Sequence, residues 1–193
     1  MEQAKDTGYL VKKDAPKDFF MEGYFRLDKI LKERASKARI SDKIRGGTHS
    51  GKHDPHSSCV RSMLSFDDLG RNSLFEKELD HPDYSFLTVK RLFTLPKRSE
   101  IIGKWIGKIT YTRVQSDGTT YNAVYVNLDP FDVDGNIKYQ NYNKYYEYVD
   151  DGKDNDDRYK PTIANWSGKI TTWRINEFYQ IDFTKLSIRA LKK

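Results

Sequence analysis

The chain has 193 residues, of which 37% are hydrophobic and 32% charged, and its formal net charge is +6. It contains no run of about eighteen apolar residues, which excludes a typical membrane-spanning helix, and its N-terminus lacks the apolar segment of a secretory signal. Cys59 is the single cysteine, so no internal disulfide can form. These features predict an intracellular, cytoplasmic protein with no membrane partner.

Basic residues are concentrated in the first third of the chain. Residues 1–63 contain 14 Lys and Arg against 9 Asp and Glu, whereas residues 64–193 contain 20 against 19. Such an asymmetry is typical of proteins that bind a polyanion, most often nucleic acid. The alternative interpretation is an ordinary solvated surface.

An amphipathic helix is predicted over residues 18–45. Phe20, Tyr24, Leu27 and Leu31 follow one another at spacings of four, three and four, which places them on one helical stripe. The second half of this helix would project its bases from an exposed rod, where they could contact phosphates. The candidate nucleic-acid-binding residues are Lys32, Arg34, Lys37, Arg39, Lys43 and Arg45.

The loop that follows carries a candidate metal site. Three of the four histidines and the cysteine fall within eleven residues, at the spacing H-x3-H-x2-H-x2-C. Imidazole and thiolate are usual zinc ligands, and a short loop can fold around one tetrahedral ion. The candidate ligands are His49, His53, His56 and Cys59. The alternative is a loop that binds no metal, and no other cofactor is expected.

A second, short helix is predicted to begin at Ser65, because Ser65 with Asp68 and Ser73 with Glu76 form capping-box patterns. Near residue 85 the apolar period changes to two, which predicts strands. We therefore divide the chain into residues 1–63, an arm with the basic helix and His-rich loop, and residues 64–193, a β-rich domain with a short leading helix.

The strongest strand signal is a long hairpin over residues 101–128. The tripeptide SDG at 116–118 separates two β-rich runs and predicts a tight turn. Trp105, Ile109 and Tyr111 share one parity before this turn and form its apolar face. A second tight turn is predicted at DGN, residues 134–136.

The last strand contains a change of register. Tyr179, Ile181 and Phe183 alternate with polar residues, and the apolar parity then switches to Leu186 and Ile188. A switch by one residue predicts a β-bulge in a long strand. The patterns together predict a mainly β fold with N-terminal helices: an antiparallel β-sandwich or jelly-roll, or a β-barrel, preceded by one long and one short helix.

Two resemblances suggest what such a fold does. Gly103-Lys104-Trp105 resembles the G-x-W that opens lipocalin-like barrels, and the stretch IIGKWIGKITYTRVQSDGTTY is similar to their first hairpin. A basic N-terminal segment followed by strands resembles the layout of jelly-roll coat proteins of small viruses. The first resemblance implies a barrel that binds a small ligand, and the second implies a coat subunit.

No motif in the sequence indicates catalysis: there is no Gly-rich phosphate loop, nucleophile elbow or HExxH. We therefore expect a non-enzymatic structural or binding protein, in which the basic helix and loop engage an anionic partner. Its β-domain would form a homo-oligomer or a larger, coat-like assembly. The alternatives are a lipocalin-like ligand-binding barrel and a zinc-dependent enzyme that uses the His/Cys loop.

Overall fold

The computed structural model describes residues 10–11, 17–30, 36–46, 59–67, 72–80, 83–87, 89–153, 162–166, 168 and 170–191. These residues form twelve strands, a one-turn helix α1 at Arg98–Ile101 and a 3₁₀ turn at Tyr139–Asn141. The strands are β1 Leu10–Val11, β2 Phe19–Ile30, β3 Arg39–Gly46, β4 Cys59–Ser65, β5 Leu74–Asp80, β6 Asp83–Leu87, β7 Lys90–Arg91, β8 Trp105–Val114, β9 Thr120–Asn127, β10 Asn143–Asp150, β11 Ile170–Asn176 and β12 Phe178–Ala190.

The strands make two six-stranded antiparallel sheets. Sheet I has the order β1-β11-β3-β4-β5-β6, and sheet II has the order β12-β2-β8-β9-β10-β7. The sheets face each other, since Ser62 of β4 lies 2.8 Å from Thr110 of β8 between their hydroxyl oxygens, and the Phe75 and Tyr146 ring centroids are 5.1 Å apart. The chain is thus rich in β structure, as predicted.

The predicted long helix over residues 18–45 is wrong, because β2 and β3 occupy most of that range. β2 lies between β12 and β8 and is covered on both faces, so Met21 and Phe25 are buried on one face and Tyr24 on the other. Apolar residues on both parities of one strand can mimic the three- and four-residue spacing of a helix.

The predicted short helix after Ser65 is also wrong. Ser65 ends β4, and Ser73 immediately precedes β5. The Ser73 hydroxyl oxygen accepts a hydrogen bond from the Ser65 backbone N–H at 2.9 Å. A residue suited to capping a helix therefore closes a strand-to-strand connection instead. Within the described residues no helix exceeds the four residues of α1, and none is long and apolar enough to cross a membrane.

Of the two predicted architectures, a sandwich or jelly-roll and a barrel, the barrel is wrong. In the described strands each sheet keeps two separate edges, β1 and β6 in sheet I and β12 and β7 in sheet II. The G-x-W resemblance therefore does not extend to a closed lipocalin-like architecture.

Two paired segments carry the chain from one sheet to the other. β2 and β12 pair in sheet II, β3 and β11 pair in sheet I, and the register continues from Ile30↔Phe178 to Arg39↔Asn176. Glu177, with φ 62°, makes the sharp bend between β11 and β12. The first and last long strands thus lie side by side, and the proposed boundary between residues 63 and 64 falls within β4.

The predicted turns and bulge are confirmed. β8 pairs with β9 across a turn in which Gly118 has φ +85°, and Gly135 has φ +80° in the turn at 132–136. In β12 the register shifts between Thr184 and Ser187, and Lys185 has φ 48°. A non-glycine residue in the left-handed region is typical of a local bulge or turn.

Candidate functional site

The residues predicted to bind nucleic acid do not lie on a helix. Lys32 and Arg34 lie outside the described residues, Lys37 is exposed just before β3, and Arg39 is half-buried at the start of β3. Burial lowers the pKa of Arg39 below its ordinary value, and the neighbouring Arg61 guanidinium adds to this.

The other two predicted contacts are used inside the fold. Lys43 donates to Glu78 at 3.4 Å. Arg45 is only 1% exposed and donates to the carbonyl oxygens of Lys17, at 2.7 Å, and Trp166. Burial lowers the pKa of Arg45 to about 10. A guanidinium in this position ties β3 to neighbouring segments and is not presented to an external phosphate.

Of the four candidate metal ligands, the structure describes only Cys59. His49, His53 and His56 lie outside the described residues, and Cys59 is 2% exposed at the start of β4. The Cys59 thiol donates to Glu78 at 3.2 Å, and burial raises its pKa to about 12. Among the described residues no group of three or more His, Cys, Asp or Glu is arranged to hold a metal ion. The zinc hypothesis stays a prediction about the histidine segment.

Several exposed apolar side chains lie on the last strand or just before it. The described residues include eight large hydrophobic side chains that are exposed, and four of them lie at the end of β11 or on β12. Tyr179 is 69% exposed and Phe183 58% exposed. The four residues are Ile175, Tyr179, Phe183 and Leu186.

This apolar surface coincides with an open sheet edge. β12 is 13 residues long, and among the described strands it pairs only with β2. The other edge of β12 therefore presents backbone donors and acceptors that a further strand can pair with. We call β12, with its exposed residues, the β12 edge. The sequence predicted the strand, but its place at the end of a sheet depends on pairing with β2, about 160 residues away.

Aromatic rings and charges brace the outer face of sheet II beside this edge. Tyr24 packs on Phe131 with ring centroids 4.9 Å apart, and Phe131 packs on Trp105 at 5.7 Å. The Arg26 guanidinium lies 5.6 Å from the Trp105 ring centroid, and Lys185 Nζ lies 5.3 Å from that of Phe131. Such contacts hold a cation over a ring face and restrict both side chains.

The cations on this face are largely compensated. Arg26 pairs with Asp28 at 3.0 Å and also contacts Asp182 of β12. Arg189 lies 3.7 Å from Glu22, which is 1% exposed and accepts from the Tyr24 hydroxyl. Burial, reinforced by Glu22, raises the pKa of Tyr24. The charges thus join β12 to β2 and do not form a uniformly positive surface for a polyanion.

A cleft of about 690 Å³ opens at one end of sheet II, beside the 3₁₀ turn. Three of its amides already bond to backbone oxygens: Asn127 to Lys138 at 2.8 Å, and Asn141 and Asn143 at 3.1 Å each. These amides shape the loop, which leaves few convergent polar groups to fix a ligand. The lining residues are Leu92, Phe93, Val126, Asn127, Leu128, Asp129, Gln140, Asn141, Asn143 and Lys144.

Comparison with known proteins gives no relative: no family model, no curated protein and no solved structure matches this chain.

Proposed function

We propose that this chain is a non-enzymatic structural protein whose copies associate through the β12 edge. The observation that carries the proposal is that an open 13-residue edge strand bears three of the eight exposed large hydrophobic side chains in the described residues, with a fourth, Ile175, at the end of the preceding strand. An exposed, long, apolar edge is a template for pairing with another strand. Contiguous apolar surface that is left exposed commonly marks an interaction site.

A second copy of β12 is the occupant that fits this edge best. Two antiparallel β12 strands centred on Phe183 place the Phe183 side chains of the two copies directly opposite each other, because residues opposite one another in an antiparallel pair lie on the same face. An apolar pair directly across an antiparallel ladder contributes roughly 0.2–1 kcal/mol. The exposed apolar side chain at the centre of β12 would therefore be covered by its own copy about a two-fold axis.

The bulge at Lys185 favours a closed pair over an open fibre. A bulge twists the edge and limits indefinite strand addition, and a two-fold contact uses the same patch on both copies. A coat-like shell would need a second contact in addition to this one. The β12 pair is accordingly the first step of any larger assembly.

The test is the concentration dependence of sedimentation for the wild type and for Phe183→Lys. We expect the wild type to dimerise and the variant to have a dimer dissociation constant at least about tenfold higher. The substitution replaces a central apolar side chain by a positive charge, which lies close to the same charge of the second copy near the two-fold axis. Val133→Lys is the matched control, since Val133 is fully exposed in a turn. A monomeric wild type, or a Phe183→Lys variant that associates as well as Val133→Lys does, would reject the proposal.

An anionic partner is the second candidate, because of the basic excess in residues 1–63. Phosphate contacts make binding salt-dependent, with a log–log slope of about −0.9 per contact on duplex and about −0.7 on single strands. A salt titration against both forms of nucleic acid tests this, with Lys37→Gln as the variant because Lys37 is exposed. Absence of binding at low salt would reject nucleic acid as a partner.

A further inference from the structure

Lys108 of β8 and Asp42 of β3 meet in the interior between the two sheets. Both side chains are 0% exposed, and Lys108 Nζ contacts Asp42 Oδ1 directly. The Ser62 and Thr110 hydroxyl oxygens each lie 2.7 Å from Nζ. An amine and a carboxyl group from different sheets are thus held together with two hydroxyls and no exposure to bulk water.

The two oxygens of Asp42 have different surroundings. Oδ1 accepts from the Ser62 hydroxyl at 2.9 Å and from the Thr110 hydroxyl at 3.1 Å. Oδ2 is buried and has no hydrogen-bond partner among the described residues. An ionised carboxylate would leave charge on an oxygen with no donor, which is costly in a buried site.

Burial also acts on the amine. It lowers the pKa of Lys108 well below its ordinary value, because a fully buried ammonium loses its hydration. The Trp173 ring centroid lies 5.4 Å from Nζ and favours the cation, but one ring face replaces only part of the hydration that a buried ammonium loses. Transfer of one proton from Nζ to Asp42, where Oδ2 carries it because Oδ1 already accepts from both hydroxyls, gives a neutral amine, which is a nucleophile, beside a neutral carboxylic acid.

We propose that Lys108 and Asp42 condense into an intramolecular isopeptide bond. The Nζ lone pair attacks Asp42 Cγ, and the negative charge that develops on Oδ1 is stabilised by the Ser62 and Thr110 hydroxyls. The bond from Cγ to Oδ2 then breaks. Oδ2 leaves as water, with its own hydrogen and one hydrogen from Nζ, so that one amide and one water form from one amine and one acid. No oxidant or cofactor is required.

The close positioning of the Lys108 amine and the Asp42 carboxyl group favours the condensation. Groups held in reacting geometry reach effective concentrations of roughly 10⁵–10⁸ M, which favours a condensation that dilute amines and acids do not undergo. The bond would join sheet I to sheet II across 66 residues of sequence. A covalent link of this kind resists separation of the sheets, which suits a structural protein, but the inference does not depend on assembly through β12.

A second buried pair provides an internal comparison. Lys77 donates to Asp150 Oδ1 at 2.7 Å and to the Thr162 carbonyl at 2.8 Å, while Asp150 accepts from the backbone N–H groups of Gly152 and Ala164. Both oxygens of this carboxylate have donors, so the pair is stable in its ionised form. We expect it not to condense.

The experiment measures the intact mass of the purified full chain under denaturing conditions, followed by a tryptic map. The expected wild-type mass is lower than the sequence mass by one water. Acylated Lys108 resists trypsin, so the map should contain residues 40–43 joined to residues 105–113. Cleavage after Lys77 should be normal in the same digest. Lys108→Met should have its full sequence mass.

The wild-type result decides the matter even if Lys108→Met fails to fold. Folded wild type that keeps its full mass after prolonged incubation would overturn the proposal. So would a loss of water that maps to any other pair of residues, or separate peptides 40–43 and 105–108 as the main products.

Discussion

Lys77 of β5 and Asp150 of β10 form a fully buried ion pair that links the two sheets, with 2.7 Å between Nζ and Oδ1 and side-chain exposures of 0% and 2%. The carboxylate is held by two backbone N–H groups, and the ammonium also donates to the Thr162 carbonyl. Burying two charges costs several kcal/mol each, and good geometry with further hydrogen bonds offsets this. The interior is therefore organised partly by polar contacts.

Lys77→Met should destabilise the protein by about 3–5 kcal/mol, because it leaves the Asp150 carboxylate buried without its cation. The measurement is the change in the midpoint of denaturant unfolding relative to the wild type, provided that the slope of the unfolding free energy against denaturant concentration is unchanged. The double variant Lys77→Met/Asp150→Leu should lose less than the single variant, since it removes both charges.

Lys153→Met is the control, because the Lys153 side chain is 82% exposed and pairs with Asp151 at the surface. Its midpoint should match that of the wild type. If Lys77→Met also unfolded at the wild-type midpoint, Lys77 and Asp150 would not form a buried pair in solution.

Gly107→Ala tests how closely the segment 129–142 packs on sheet II. A Cβ at Gly107 would lie 2.5 Å from the Tyr142 hydroxyl oxygen and 3.0 Å from its Cζ. Overpacking of this kind costs about 1–3 kcal/mol, measured by thermal or denaturant unfolding. In a double-mutant cycle, Tyr142→Phe should recover part of the loss, because it removes the nearest atom. Strictly additive losses would show that Tyr142 does not lie over Gly107.

The hairpin at 101–128 was predictable, but the direction of its faces was not. The sequence placed Trp105, Ile109 and Tyr111 on the apolar face. In the structure the opposite parity faces the interior, including Lys108 and Thr110, both 0% exposed. Trp105 is half-buried on the outer face, against Phe131.

The reason for this inversion is physical. Periodicity treats lysine and threonine as solvent-facing, whereas here a lysine is buried because its carboxyl partner comes from β3 of the other sheet. No local pattern contains that pairing. The outer face looks apolar because the segment containing Phe131 folds back over it. Turns were predictable because glycine at positive φ leaves a local signal.

Gly118→Ala tests that local signal. Gly118 has φ +85°, and no atom outside the adjoining residues lies within 4 Å of the position that an alanine Cβ would take, so the cost is conformational and not steric. Alanine in the left-handed region should lower the free energy of unfolding by about 1–2 kcal/mol, measured by denaturation. Gly118→Asn should lose less, since asparagine tolerates this region. Equal losses for both variants would contradict a purely conformational cost.

The thiol of Cys59 reports on the opening of sheet I. Burial raises its pKa to about 12, while an unfolded thiol has a pKa of about 8.5, so at pH 8 the folded protein holds on the order of a thousandfold less thiolate. Since the thiolate is the reactive form, a thiol reagent should label the native protein very slowly and the denatured protein at once. Reactivity should rise only as the pH approaches the folded pKa. Glu78→Gln should speed native labelling modestly, because the Glu78 carboxylate accepts from the thiol and adds to the raised pKa, whereas burial is the larger cause. Rapid labelling of native wild type at pH 8 would show that Cys59 is accessible, and would restore it as a ligand that the histidine segment can recruit.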